Sequence, residues 1–296
     1  MLDSIKAKLI FGKLLSRPNI EKAYAMVGPE DSWYDTISTV HRSLNEIKKL
    51  PHSTLEIKSH DSLTLRGIYY PAKKNAKGTI ICIHGYSSHA EREWAFPGLF
   101  YLSLGYNLLI PYQRAHGLSE GKNITFGALE HKDMLRWVDK INDISPDMPI
   151  FLHGLSMGGL IALILSDKEM KGVKGIISDA PSRSITSFFK GVSGEIFGKS
   201  GDAVAKCAIS SFNKKHSINA HDYGAKEILK NCKYPLLLSA GENEKLDKIF
   251  DEYKAINPSK TDIIILPGCN HGNGMYKQTK LYQDTIFNFI NENTDR

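Results

Sequence analysis

Ser156 lies in the segment Phe151-Leu152-His153-Gly154-Leu155-Ser156-Met157-Gly158-Gly159, which passes from one apolar run into another at residues 160–165. A chain that turns sharply from strand into helix needs small residues on both sides of the turn, because a Cβ there meets neighbouring backbone. The residue between the glycines is presented at the carboxyl end of a sheet. It also sits at a helix N-terminus, where the dipole favours developing negative charge. Ser156 is therefore read as a nucleophile.

A hydroxyl is a poor nucleophile at neutral pH. It needs a base to take its proton and a third group to orient that base. Of eleven histidines, His271 has the best position: Leu266-Pro267-Gly268-Cys269-Asn270-His271-Gly272 follows the last apolar run and precedes the last helical pattern. The acid is expected after the run at 235–238, where Ser239-Ala240-Gly241-Glu242-Asn243-Glu244-Lys245-Leu246-Asp247 holds three carboxylates. Glu244 is the first choice, Asp247 the second and Glu242 the third. Acyl transfer also needs donors for a tetrahedral oxyanion. The backbone N–H of Met157 is one. The other is expected from Tyr86 in His84-Gly85-Tyr86-Ser87-Ser88-His89, where Gly85 lets the backbone turn inward. His84, His116 and His153 are read as structural.

These residues need a frame to hold them. Residues 55–58 and 63–69 alternate about His60-Asp61, as an antiparallel hairpin does. Six short, nearly wholly apolar runs follow, at 79–83, 107–110, 150–152, 175–177, 235–238 and 262–266. Strands buried on both faces look like this, and helical patterns between them imply a parallel sheet. Helices are expected at 94–104, 126–144, 157–167, 225–230, 246–256 and 277–291. The sum is an α/β fold with a mostly parallel sheet of about eight strands and helices on both faces. Residues 1–50 read as a helical extension with breaks near Pro18 and Gly28-Pro29. Residues 51–180 and 234–296 read as the core. The interval 181–233 is too long for one crossover helix and reads as an inserted helical cap over the edge that carries Ser156. Its Phe188, Phe189, Phe197 and Phe212 are expected to line an apolar substrate pocket, so replacing Phe188 and Phe189 by Ala is expected to shift chain-length preference.

Composition narrows the function. A net charge of +6 over 296 residues is mild, and the lysines are scattered without interleaved aromatics, which does not indicate nucleic-acid binding. Cys82, Cys207, Cys232 and Cys269 have neither metal-ligand nor redox spacing and suit a reducing cytoplasm. No metal site is expected. Residues 1–17 mix Leu2, Ile5, Leu9, Ile10, Phe11, Leu14 and Leu15 with Lys6, Lys8, Lys13 and Arg17. The run is too short to span a bilayer. It reads as a helix packing its apolar face on the parent domain, with contact to a membrane surface as the alternative.

Together the motifs resemble the α/β-hydrolase superfamily over residues 55–295. They are His84-Gly85 after a strand, Gln113-Arg114-Ala115-His116-Gly117-Leu118-Ser119-Glu120-Gly121 after the next, His153-Gly154-Leu155-Ser156-Met157-Gly158-Gly159, and Gly268-Cys269-Asn270-His271. Arg-x-His-Gly-x-Ser-x-Gly and Ser-Met-Gly-Gly are similar to the serine esterase, monoacylglycerol-lipase-like and acylaminoacyl-peptidase-like branches. Two departures stand out. Glu244 falls where such proteins usually carry Asp, and Tyr112 stands where an aspartate often precedes the Arg-x-His-Gly segment. The resemblance implies a serine hydrolase acting on a small-molecule carboxylic ester without a cofactor. Alternatives are a short-peptide peptidase or amidase, a monoacylglycerol-type lipase and a catalytically silent fold that binds a ligand. Oligomeric state is not legible.

Overall fold

The alternating stretches form the antiparallel pair β1 (Ser53–Lys58) and β2 (Thr64–Tyr70). In the computed structural model, which describes residues 2–19 and 33–294, β2 pairs antiparallel with β4 (Asn107–Pro111). The rest of the sheet is parallel: β3 (Thr79–Ile83), β5 (Ile150–Leu155), β6 (Val173–Asp179), β7 (Leu236–Gly241) and β8 (Thr261–Leu266). The order is β1-β2-β4-β3-β5-β6-β7-β8.

The central strands are apolar on both faces because helices cover both. Alternate residues feed two separate cores, as a period of two requires. Ile81, Ile83, Leu152, Ile176 and Leu238 pack on one side with Trp137, Leu160, Ile161 and Phe250. Ile80, Cys82, Phe151, Ile177 and Leu237 pack on the other with Ile47, Trp94, Tyr101, Ile286 and Phe289.

Several boundaries differ from the sequence reading. The helix expected at 94–104 starts at Ala90 and runs to Ser103, because the His89 ring accepts from the Arg92 N–H at 3.4 Å and the charged turn Glu91-Arg92-Glu93 joins the helix. The helix expected from 126 spans Glu130–Ile144. Phe126 (φ 53°) and Gly127 (φ 105°) break the backbone, and the Glu130 carboxylate binds the N–H groups of Thr125 and Gly127 ahead of it. The last helix is a short turn, Gly274–Lys277, followed by Thr279–Thr294.

In the N-terminal region the structure describes Leu2–Leu14 and Ile37–Ile47 as helices. The break expected at Gly28-Pro29 lies outside the described residues. Leu2–Leu14 packs on helix Gly201–His216. Ala7, Phe11 and Leu15 are buried, with Phe11 4.7 Å from the Phe189 ring, while Leu2, Ile5 and Leu9 face outward. Among the described residues no helix is long and apolar enough to cross a membrane. Between β6 and β7 lie helices Ile185–Phe197, opened by a Ser184 capping box, Gly201–His216 and the short Ala225–Ile228.

Candidate active site

Ser156 occupies the turn between β5 and helix Met157–Leu165 with φ 58° and ψ −112°. An L-residue rarely adopts such a conformation, so the surroundings must enforce it. A Cβ on Gly154 would lie 2.0 Å from the Gly158 carbonyl oxygen, and one on Gly158 would lie 1.9 Å from that of Ile83. Only glycine lets the helix start this close to β3 and β5. The Ser156 N–H donates to the Asp179 carbonyl of the neighbouring strand at 2.9 Å and pins the turn from below.

The loops after β7 and β8 are stitched together. The Asn243 N–H donates to the Cys269 carbonyl at 3.0 Å, the Asn243 amide to Asn270 Oδ1 at 2.9 Å, and the Gly268 N–H to Glu242 at 2.9 Å. This brings His271 Nε2 to 2.9 Å from Ser156 Oγ, and Nδ1 to 2.6 Å from Glu244 Oε2. The other Glu244 oxygen accepts from the Gly241 N–H at 2.8 Å. Glu244 is the carboxylate at His271. Glu242 is engaged with Gly268, and Asp247 stands exposed at the start of helix Asp247–Ile256. The bond to Glu244 raises the His271 pKa above its ordinary value, and partial burial opposes it.

The strap 84–88 crosses in front of Ser156. Nε2 of His84 accepts from the Gln113 N–H at 3.1 Å, so Nδ1 carries the proton and donates to the Gly85 carbonyl at 2.8 Å. Burial holds the His84 pKa well below its ordinary value, which keeps the ring neutral for this double duty. The Gly85 N–H donates to Glu93 Oε1 at 2.8 Å. Glu93 is half-buried at the edge of the larger cavity, and burial pushes its pKa up to about 7. His116 and His153 are buried too, with pKa values lowered by burial to about 4 and about 3. His153 Nε2 lies 3.2 Å from the Tyr282 hydroxyl, which donates to the Asp179 carboxylate at 2.8 Å.

Two cavities flank His271. The larger, of about 270 Å³, is bordered by Trp33, Ile37, Val40, Tyr86, Leu155 and Tyr276 around Ser156 and His271. The smaller, of about 230 Å³, lies toward Glu244, Phe188 and Arg183. The expectation for the pocket phenylalanines changes accordingly. Phe188 borders the smaller cavity, while Phe189, Phe197 and Phe212 border neither. Phe189 and Phe212 are spent in the core, their rings 5.3 Å apart, and Phe197 lies under the Lys6 ammonium. The larger cavity takes its outer wall from the N-terminal segment instead. Sequence reasoning missed this wall because nothing in residues 33–41 signals which surface they cover. It also missed Glu93, whose charged neighbours made it look like a solvated turn.

The remaining polar motifs support the frame. Arg114 binds Asp133 at 2.7 and 2.8 Å and Asp61 at 3.0 and 3.1 Å. His60, Asp61 and Asp133 lie close enough to hold a metal ion, but the guanidinium already pairs with both carboxylates, so this donor set does not fit a cation. Tyr112, at the position noted for an aspartate, donates to Glu91 at 2.7 Å and seats its ring where a Gly117 Cβ would fall.

Comparison with known proteins agrees with this architecture. The chain is 29% identical over 143 residues to the uncharacterized protein YqkD of Bacillus subtilis (48% of this chain, 46% of that one). It is 29% identical over 117 residues to the monoglyceride lipase of Mus musculus, 38% of each chain. The chain thus spans less than half the length of the curated relatives it matches. In fold it is similar to the Pyrococcus furiosus esterase Pf2001, with a TM-score of 0.64 and 22% identity over 91% of this chain and 96% of that one. The family model described as serine aminopeptidase, S33, matches residues 74–221, half of the chain, and with the eight-stranded sheet this makes the chain a member of that family of α/β hydrolases.

Proposed function

We propose that this chain is a serine hydrolase that cleaves small carboxylic esters through an acyl-enzyme intermediate. The observation that carries the reading is the unbroken hydrogen-bond line from Glu244 through His271 to Ser156. Glu244 keeps the proton on Nδ1, so Nε2 is free to accept. Ser156 Oγ attacks the acyl carbon as its proton passes to Nε2, and the carbonyl electron pair moves onto oxygen. The N–H groups of Tyr86 and Met157 receive that charge. Collapse breaks the ester bond, and the leaving alkoxide takes the proton from Nε2. Water then repeats the sequence on the acyl-serine, releasing the acid and restoring Ser156. Protein groups supply every step, so the reaction calls for no cofactor.

The larger cavity is the acyl site in this reading. At about 270 Å³ it falls just below the usual range of ligand pockets, about 300 to 1,000 Å³. A short or medium acyl chain, or a single ring, suits it. The smaller cavity takes the alcohol. Residues 181–233 are the cap that closes this side, residues 51–180 with 234–296 the core, and residues 1–50 an extension of which 33–41 wall the acyl site. The names of the similar proteins, an esterase and a monoglyceride lipase, support an ester as substrate. The four free cysteines fit a reducing compartment such as the cytoplasm.

The family description favours a second reading, a peptidase acting on short peptides through the same groups. Fluorophosphonate labelling of wild type and Ser156→Ala tests the nucleophile: labelling is expected in wild type and absent in the variant. A panel of p-nitrophenyl esters against aminoacyl p-nitroanilides separates the two substrates. Unlabelled wild type that turns over neither series refutes the hydrolase reading.

A further inference from the structure

The proposed mechanism leaves Glu93 unused, although it is a carboxylic acid bordering the cavity that holds Ser156 and His271. We propose that Glu93 is a positioning residue for the oxyanion site, fixing the peptide next to the Tyr86 N–H; this rests on the serine-hydrolase reading above.

Two successive peptide units are held, each by one group. Glu93 Oε1 accepts the Gly85 N–H and fixes the unit between His84 and Gly85. Nδ1–H of His84 binds the Gly85 carbonyl and fixes the unit between Gly85 and Tyr86. In a trans peptide the carbonyl and the N–H of one unit point to opposite sides. Holding the Gly85 carbonyl therefore aims the Tyr86 N–H away from His84. Gly85 itself is wedged: its missing Cβ would lie 3.3 Å from Glu93 Oε2 and 3.4 Å from the Ser156 Cβ. The carboxylate thus sets the distance between strap and nucleophile.

Glu93 is in turn held rigidly. Pro97, four residues on in the same helix, has no N–H to offer the Glu93 carbonyl. The Tyr276 hydroxyl lies 3.5 Å from that carbonyl instead. Among the described residues the titratable groups that face Glu93 include Cys82 from β3, Asp179 from β6, Tyr276 and His271, and Arg92 and His41 border the same cavity. An ionised Glu93 favours the imidazolium that His271 becomes during turnover. Lowering the pH through about 7 neutralises Glu93, which weakens both its grip on Gly85 and that electrostatic support.

The test uses the full chain with p-nitrophenyl butyrate and an alkyl trifluoromethyl ketone, whose serine adduct carries an oxyanion. Glu93→Ala is expected to lower kcat on the order of 100-fold, with KM within about threefold, as loss of an oxyanion donor does. Affinity for the ketone falls by a similar factor. Glu93→Gln keeps an acceptor for the Gly85 N–H, so it is expected to lose about tenfold. Its activity should fall at acid pH with a single ionisation where wild type falls more steeply, and it carries the test if Glu93→Ala does not fold. An active wild type whose Glu93→Gln variant has the same kcat and the same acid limb overturns the positioning role, as does a change confined to KM or to melting temperature. A wild type inert to both probes overturns the serine-hydrolase reading, and this role with it.

Discussion

In the proposed mechanism Glu244→Gln isolates the acid's contribution, because the geometry dictates how the new amide must sit. One Glu244 oxygen is bound by the Gly241 N–H at 2.8 Å, and the other faces His271 Nδ1 at 2.6 Å. In a glutamine the oxygen is needed at Gly241, so the NH2 group turns to the histidine. Nδ1 must then accept, the proton moves to Nε2, and Nε2 can no longer take the proton of Ser156. Tautomer inversion of this kind costs about 10⁴ in rate where the histidine is buried. The His271 side chain is 57% exposed, so water competes with the amide and part of the penalty is relieved. A loss of about 10³ in kcat is expected, about 4 kcal/mol at 1.36 kcal/mol per tenfold. Glu244→Ala imposes no wrong tautomer and should be the milder variant. The sign of the pH effect is fixed as well. The bond to Glu244 raises the His271 pKa, so removing it lowers that pKa and moves the acid limb of kcat/KM to lower pH. Rates of p-nitrophenyl butyrate hydrolysis from about pH 5 to 9 read both effects. Glu244→Gln within tenfold of wild type, or an acid limb displaced upward, would refute the reasoning. A large loss in Asp247→Ala or Glu242→Ala instead would move the acid.

Two further perturbations test the frame and the pocket. Gly158→Ala places a Cβ 1.9 Å from the Ile83 carbonyl oxygen, a backbone atom that cannot move aside, so a fall in melting temperature together with loss of fluorophosphonate labelling is expected. Near-wild-type melting would show that the turn tolerates more space than the structure allows. Val40→Trp fills the larger cavity and should shift preference toward shorter acyl chains, whereas Phe189→Ala should cost about 3–5 kcal/mol of stability in denaturant unfolding and leave that preference in place. The reverse pattern would return the acyl site to the cap phenylalanines.

The contrast between Phe189 and Val40 also shows where sequence stops being informative. Strands β3 to β7 were legible because burial on both faces leaves a signature inside a few residues, the edge strand β8 from its short apolar run, and the Ser156 turn because Gly154 is demanded by the turn itself and Gly158 by the Ile83 carbonyl of β3. His271 was legible from chain order, since it follows the last strand. Choosing Glu244 over Asp247 and Glu242 needed the stitching of two loops, and that is tertiary. Phe189, Phe197 and Phe212 misled for a related reason, whereas Phe188 does border the smaller cavity. An aromatic run says that a surface is buried but not by what, and here Phe11 of the first helix reaches Phe189 while the N-terminal segment walls the cavity. Glu93 was hidden by its neighbours Glu91 and Arg92, since three charges in one turn suggest solvent. The His89 cap starts the helix four residues early and turns Glu93 toward Gly85, so a local feature legible only in three dimensions places a carboxylate beside Ser156. In the proposed reading the acyl-site wall and the support of the oxyanion site both come from outside the motif segments, so substrate preference can change without altering Ser156, His271 or Glu244.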